Sequence, residues 1–346
     1  MKKAIALTLS LLILFPILTV FAAAIPLSAG TEQLKAQFID GSIPNGNDYV
    51  YYSPVRSSYD TRKYPLLIWL HGGGSYPTPR SQIRNYDTCN LACDEYQAMF
   101  TNAGGCFILA PRDNGLVATS WEVNDVPTLK ALIDAFIREH QANIDTNRLY
   151  LVGFSTGASM VWNMLSEYPN FFAAAVPASA LIQPTDATIN AMKNISIWIF
   201  SSDVDSYPSA RSINTKGVFN KLRSATNRPD GLRLTTFSEV VLPDGSKKGG
   251  FDEEHYTWLA ITHNLRMNNG STYAYTTTVD GTGSPVSFSD GSGFFDWLSH
   301  QSKNGIIDDE INDEEPRVNP FATVIALAQN ILGRLLDLLK KFLGLA

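Results

Sequence analysis

Basic residues, cysteines and histidines are all scarce in this 346-residue chain, and each shortage narrows what it can do. Lysine and arginine total 27 against 33 aspartates and glutamates, a formal charge of −6. A chain with that balance lacks the cationic excess from which binding to phosphodiester backbones draws its counterion-release energy, which argues against a nucleic-acid partner. Cysteine occurs three times, at Cys89, Cys93 and Cys106. An oxidising compartment would let one pair close, and Cys89 with Cys93 is the expected disulfide. No histidine pair stands near them to complete a tetrahedral set, so a zinc site is not expected. What is present is ordinary core material: 45% of the chain is hydrophobic and 17% charged, enough for one sizeable globular domain.

The two ends differ from the middle. Lys2 and Lys3 precede an apolar run at residues 4–21 that contains Pro16, and Ala22, Ala23 and Ala24 follow it. This is the layout of a secretory signal cleaved after Ala24, with an uncleaved membrane anchor as the other reading. Either places the rest of the chain outside the cytoplasm, as a secreted or extracytoplasmic protein. Residues 302–320 hold Asp308, Asp309, Glu310, Asp313, Glu314 and Glu315 with two prolines, the composition of a solvated linker. Beyond it, Phe321, Val324, Ile325, Ala328, Ile331, Leu332, Leu335, Leu338, Leu339 and Phe342 recur at helical spacing, with Asn330, Arg334, Asp337 and Lys341 on another face. Residues 321–346 therefore form an expected amphipathic helix. The mid-helix charges argue against a membrane span. A helix lying on a membrane surface, packed on its own domain, or paired with a second copy each satisfies the pattern.

Residues 25–301 read as one α/β domain. Compact apolar runs at 66–70, 106–110, 149–152, 173–176 and 195–200 alternate with helical spacing at 126–140, 159–168 and 211–225. Strands alternating with helices imply a mainly parallel sheet covered on both faces. Residues 48–52 suit an antiparallel edge strand. Residues 232–242 suit a later strand with a turn at Pro243, Asp244 and Gly245, and 294–300 a closing helix. The Gly-, Ser-, Thr- and Tyr-rich stretch 268–293 has no helical period and reads as an inserted hairpin or long surface loop.

Two motifs sit on this frame. Gly153, Phe154, Ser155, Thr156 and Gly157 spell GxSxG directly after the run at 149–152 and before a helix, the setting of a nucleophile elbow. His71, Gly72, Gly73 and Gly74 follow the run at 66–70, as an oxyanion loop would. A serine hydroxyl needs an imidazole to take its proton and a carboxylate to hold that imidazole. In the α/β-hydrolase fold the order is serine, acid, histidine, which leaves His255, His263 and His300 as bases and excludes His71 and His140. His255 lies on a glycine-rich loop, as a base reaching over the sheet edge must. His263 sits within a helical stretch and reads as structural, and His300 ends the closing helix and reads as a solvent-facing C-terminal histidine. The run at 195–200 ends at two candidate acids, Asp203 and Asp205. Backbone N–H groups of Thr156 and Gly73 are the expected oxyanion donors, with Gly74 as the competitor for the second place. Trp121, Tyr207 and Trp258 are candidates to line a substrate site.

Residues 64–74 (YPLLIWLHGGG), 144–158 (IDTNRLYLVGFSTGA), 168–177 (YPNFFAAAVP) and 255–258 (HYTW) resemble, in order, the motifs of secreted serine esterases of the α/β-hydrolase superfamily. The similar group contains polyhydroxybutyrate depolymerases, feruloyl and acetylxylan esterases and related predicted peptidases. The resemblance implies Ser155, Asp205 and His255 as a catalytic triad, an ester substrate that is carbohydrate-linked or polymeric, and no cofactor. It departs from the group at Ser201 and Ser202, where the group commonly has His-Gly, and at Ala158, where it has a second glycine.

Overall fold

The apolar runs become the centre of a nine-stranded sheet, because each carries hydrophobic side chains on both faces and so must be covered twice. The computed structural model describes residues 25–43, 48–57, 59–74, 78–112, 120–242, 245–249, 252–264, 275–286 and 293–307. Its strands are β1 (Ile39–Ser42), β2 (Asp48–Tyr52), β3 (Tyr64–Leu70), β4 (Phe107–Pro111), β5 (Ile144–Phe154), β6 (Ala174–Ala178), β7 (Ser196–Ser202), β8 (Leu232–Phe237) and β9 (Thr276–Asp280). They lie in the order β1-β2-β4-β3-β5-β6-β7-β8-β9. From β4 to β8 every pairing is parallel, and β1, β2 and β9 run antiparallel at the edges. This is the α/β-hydrolase fold.

The two-residue period of the strands sorts their side chains into two cores. Leu67 and Trp69 of β3, Tyr150 and Val152 of β5, and Trp198 and Phe200 of β7 enter one core. Leu66, Ile68, Leu149, Leu151, Ile197 and Ile199 enter the other. Helix α1 (Val126–Glu139) buries Leu129, Leu132, Ile133 and Phe136, the spacing of a single helix face, and helix α2 (Thr156–Glu167) buries Val161, Met164 and Leu165. Both helices contribute to the second core. Phe294, Phe295, Trp297 and Leu298 of α3 (Phe294–Ser299) close the first. Fully burying each such side chain contributes about 1.5–3 kcal/mol.

Three boundaries differ from the sequence reading. The strand expected at 232–242 ends at Phe237, where pairing with β9 stops at Thr276. Residues 276–280, expected within an inserted hairpin or long surface loop, form β9: Thr276, Thr277, Thr278 and Val279 are β-branched and pair antiparallel along β8. Residues 302–307 are not linker. Gln301–Ser302 and Gly305–Ile306 pair as the short strands β10 and β11, and Arg228 donates to the carbonyls of Ser302 at 2.7 Å and Lys303 at 2.6 Å. The signal at 1–24, the linker from 308 to 320, the helix at 321–346, Pro243, Asp244, and residues 268–274 and 287–292 of the expected insertion lie outside the described residues.

The expected Cys89–Cys93 disulfide is not formed, and all three cysteines are buried free thiols. Cys89 lies in the 3-10 turn Thr88–Ala92, and Cys93 caps that turn in an extended conformation. At three residues per turn, positions four apart point in different directions around the axis. Both side chains pack into the first core, where burial pushes each thiol up to about 12. A thiol reagent should therefore leave the folded protein unmodified and titrate three thiols per chain in denaturant without reductant. A titre of one would show a disulfide instead.

Candidate active site

Strand β5 delivers Ser155 to the sheet's C-terminal edge in a backbone conformation that L-residues rarely adopt, φ 56° and ψ −116°, and α2 begins at the next residue. Its N–H donates to Ala178 O on β6 at 2.9 Å. The turn is tight enough to demand glycine on both sides. A Cβ on Gly153 would stand 2.4 Å from Gly157 O, and one on Gly157 would stand 2.3 Å from Leu70 O and 2.4 Å from His71 O. Ala158, where the resembling group has glycine, is accommodated fully buried.

The Ser155 hydroxyl is 2.9 Å from His255 Nε2, and His255 Nδ1 is 2.7 Å and 2.8 Å from the two carboxylate oxygens of Asp205. All three residues are buried, Asp205 completely. A nitrogen facing a carboxylate carries the proton, so Nδ1–H donates to Asp205 and Nε2 is left to accept from the serine. Asp205 is further held by the Tyr207 N–H, which donates to Oδ1 at 2.8 Å, and by Arg211 Nε, which donates to its backbone carbonyl at 2.9 Å.

The competing residues are engaged elsewhere. Asp203 accepts from Ser212 Oγ, pairs with Lys216 at 3.4 Å and has its side chain 45% exposed. His263 Nε2 lies 3.2 Å from Asp87 Oδ2, an oxygen that also takes Lys248 Nζ at 2.7 Å. Burial raises the Asp87 carboxyl, but these two hydrogen bonds outweigh it and hold the group below the ordinary aspartate range. His300 Nδ1 lies 2.6 Å from Asp296 O within the last turn of α3. His71 donates from Nδ1 to Gly72 O at 2.7 Å. Burial pushes its imidazole down to about 4, so it braces the glycine loop as a neutral ring.

A pocket of about 370 Å³ opens over the serine. Gly73, Thr156, Tyr207 and Trp258 all border it together with Ser155 and His255. Tyr207 is 40% exposed, lies 4.6 Å ring to ring from His255 and donates its hydroxyl to Asp252 Oδ2 at 3.0 Å. Trp258 reaches the wall but is only 1% exposed, packed edge-on against Tyr86. Trp121 does not join them. It is buried against the His71 ring at 5.2 Å, behind the glycine loop, and is not among the described residues that line this pocket.

Sequence reasoning missed Asn85, Tyr86, Leu181, Lys248, Asp252 and Tyr256, which also line the pocket. Lys248, Asp252 and Tyr256 flank His255 in sequence and could have been taken as its neighbours. Asn85, Tyr86 and Leu181 arrive from other loops with no motif to mark them. Tyr86 also reaches the glycine loop, its hydroxyl donating to Gly73 O at 3.3 Å. Among the described residues no group of three or more His, Cys, Asp or Glu side chains could hold a metal ion.

Comparison with known proteins points to esterases. A bifunctional acetylxylan esterase/xylanase from Neocallimastix patriciarum is 30% identical over 137 residues, 39% of this chain and 18% of that protein. The crystal structure of a thermostable esterase superposes with a TM-score of 0.52 at 25% identity, covering 67% of this chain and 61% of the other. The chain thus spans under two thirds of the length of either protein. No family model matches. The chain is accordingly similar to esterases of the α/β-hydrolase fold.

The buried His71 makes a pH prediction. Its folded-state pKa lies below the unfolded value near 6.5, so the stability it confers is complete above about 6.5 and is lost as pH falls toward 4. At about 1.4 kcal/mol per unit below the unfolded pKa, roughly 1 kcal/mol disappears between pH 7 and 5.5. Urea midpoints should fall over that interval more steeply for the wild type than for His71→Gln. Parallel curves would show that His71 titrates normally.

Proposed function

We propose that this chain hydrolyses carboxylic esters by two-step acyl transfer, with Ser155 as nucleophile, His255 as general base and acid, and Asp205 as the carboxylate that orients the imidazole. The observation that carries the reading is the hydrogen-bonded line Asp205–His255–Ser155 ending on a strained elbow at the floor of a pocket. Ser155 Oγ attacks the ester carbonyl carbon while its proton passes to His255 Nε2. The imidazolium so formed is stabilised by Asp205. The carbonyl oxygen becomes an oxyanion, received by the backbone N–H groups of Thr156 and Gly73. Each such donor is worth about 2.7–4 kcal/mol in the transition state. Collapse expels the alcohol, which takes the proton from His255. Water then attacks the acyl-serine, giving its proton to His255, and the acid leaves as Ser155 recovers its hydrogen. Acyl transfer balances with these side chains and water alone.

The esterase relatives support an ester rather than an amide substrate, and the acetylxylan esterase/xylanase supports an acyl group carried on carbohydrate. The open, polar-edged pocket, with Tyr207 at its rim, suits a sugar-linked ester. A panel of 4-nitrophenyl acetate, acetylated xylan, a feruloylated sugar and a peptide anilide tests the class. Esters should be turned over and the anilide not, whereas anilide cleavage at comparable kcat/KM would make the protein a peptidase. On 4-nitrophenyl acetate, Ser155→Ala and His255→Ala should each lower kcat by about 10⁴-fold or more. Asp205→Asn should lower it by about 10²–10⁴-fold, while Asp203→Asn and His263→Ala stay within a few-fold of wild type. Full activity in Ser155→Ala, or loss in His263→Ala alone, would contradict the assignment.

A further inference from the structure

Beside the pocket over Ser155 lies a second, open groove of about 660 Å³, and Asn85 and Lys248 line both. The charged residues along the groove are Lys35, Arg80, Arg84 and Lys248, with no carboxylate among the described residues that line it. In a chain of formal charge −6 this is a local reversal of sign.

The cations are incompletely neutralised from behind. Lys35 and Arg84 share a single carboxylate, Glu32, which Lys35 holds at 2.6 Å and Arg84 only at 3.6 Å. Arg80 is anchored by Asp40 at 2.8 Å and donates to the Lys35 and Phe38 carbonyls, so its guanidinium is fixed in place. Lys248 pairs with Asp87 at 2.7 Å, an aspartate that also binds His263, and lies over the Trp258 ring at 4.7 Å. Among the described residues, these four cations therefore meet three carboxylates, Glu32, Asp40 and Asp87. Arg84, 67% exposed and most weakly paired, is the one able to turn its planar fork toward an incoming anion.

We infer that this groove binds carboxylate groups of an acidic polysaccharide, so that the preferred substrate is an acylated chain bearing uronic acids whose ester reaches Ser155 while a neighbouring uronate lies against Arg84 and Lys35. The inference rests on the ester-hydrolase reading above and adds to it the charge of the substrate. A polymer fits the layout because the groove continues away from the pocket through Lys248, where only parts of the substrate remote from the reacting carbonyl would lie.

The test compares acetylated glucuronoxylan oligosaccharides with the same material after reduction of its carboxyl groups to alcohols, and with 4-nitrophenyl acetate. Wild type should favour the carboxylate-bearing form by about tenfold in kcat/KM at low salt. The preference should shrink toward unity near about 0.5 M salt, where charges a few ångströms apart are screened. In the double variant Arg84→Gln, Lys35→Gln the preference should fall about three- to tenfold through KM, with 4-nitrophenyl acetate turnover unchanged as evidence of an intact fold. A wild-type enzyme with no preference, a salt-insensitive one, or a variant that keeps it overturns the inference. Failure of wild type to hydrolyse 4-nitrophenyl acetate would instead contradict the ester-hydrolase reading.

Discussion

Everything at the site depends on one close crossing of backbone, where the elbow after β5 passes over the end of β3. Leu70 O and His71 O lie so near Gly157 that no side chain fits between them, and Gly153 meets Gly157 O in the same way. That crossing does two things at once. It forces Ser155 into a positive-φ conformation, costing of order 1–3 kcal/mol, which the ladders to β3 and β6 hold in place. It also brings the start of α2 beside the loop that leaves β3, so that Thr156 and Gly73 border the same space as the serine hydroxyl.

Around the crossing, the parallel sheet acts as a positioning device. β3, β5, β7 and β8 all point their C-terminal ends the same way, so the loops that follow them gather at one edge even though Ser155 and His255 are 100 residues apart and Asp205 and His255 are 50 apart. The chemistry needs sub-ångström placement, and the loops obtain it from the backbone. The Tyr207 N–H and the Arg211 guanidinium hold Asp205, and Tyr86 and His71 hold the glycine loop.

How much of this could be read beforehand follows from how local each signal is. The inner strands were legible because burial on both faces leaves an unbroken apolar run, and the elbow because glycines at fixed offsets have a steric cause. Ser155, His255 and Asp205 were reachable by chain order, although separating Asp205 from Asp203 took the resemblance to known esterases; two carboxylates two residues apart at a strand end look alike until one faces an imidazole. β9 was hidden because its threonines look like loop composition until β8 is beside them. Tyr86, Leu181 and the cationic groove were not legible at all, since each depends on which loops come together in space. The Cys89–Cys93 pairing failed for the same reason, proximity in sequence having stood in for direction in space.

The central claim is that Ser155, and no other serine, is made nucleophilic by its hydrogen bond to His255. Reaction of the folded protein with a fluorophosphonate, followed by peptide mass spectrometry, tests it most directly. The account predicts one adduct per chain, on Ser155, formed orders of magnitude more slowly in His255→Ala and not at all in denatured protein. An adduct on a different residue, or a wild-type protein that does not react while folded, would contradict it.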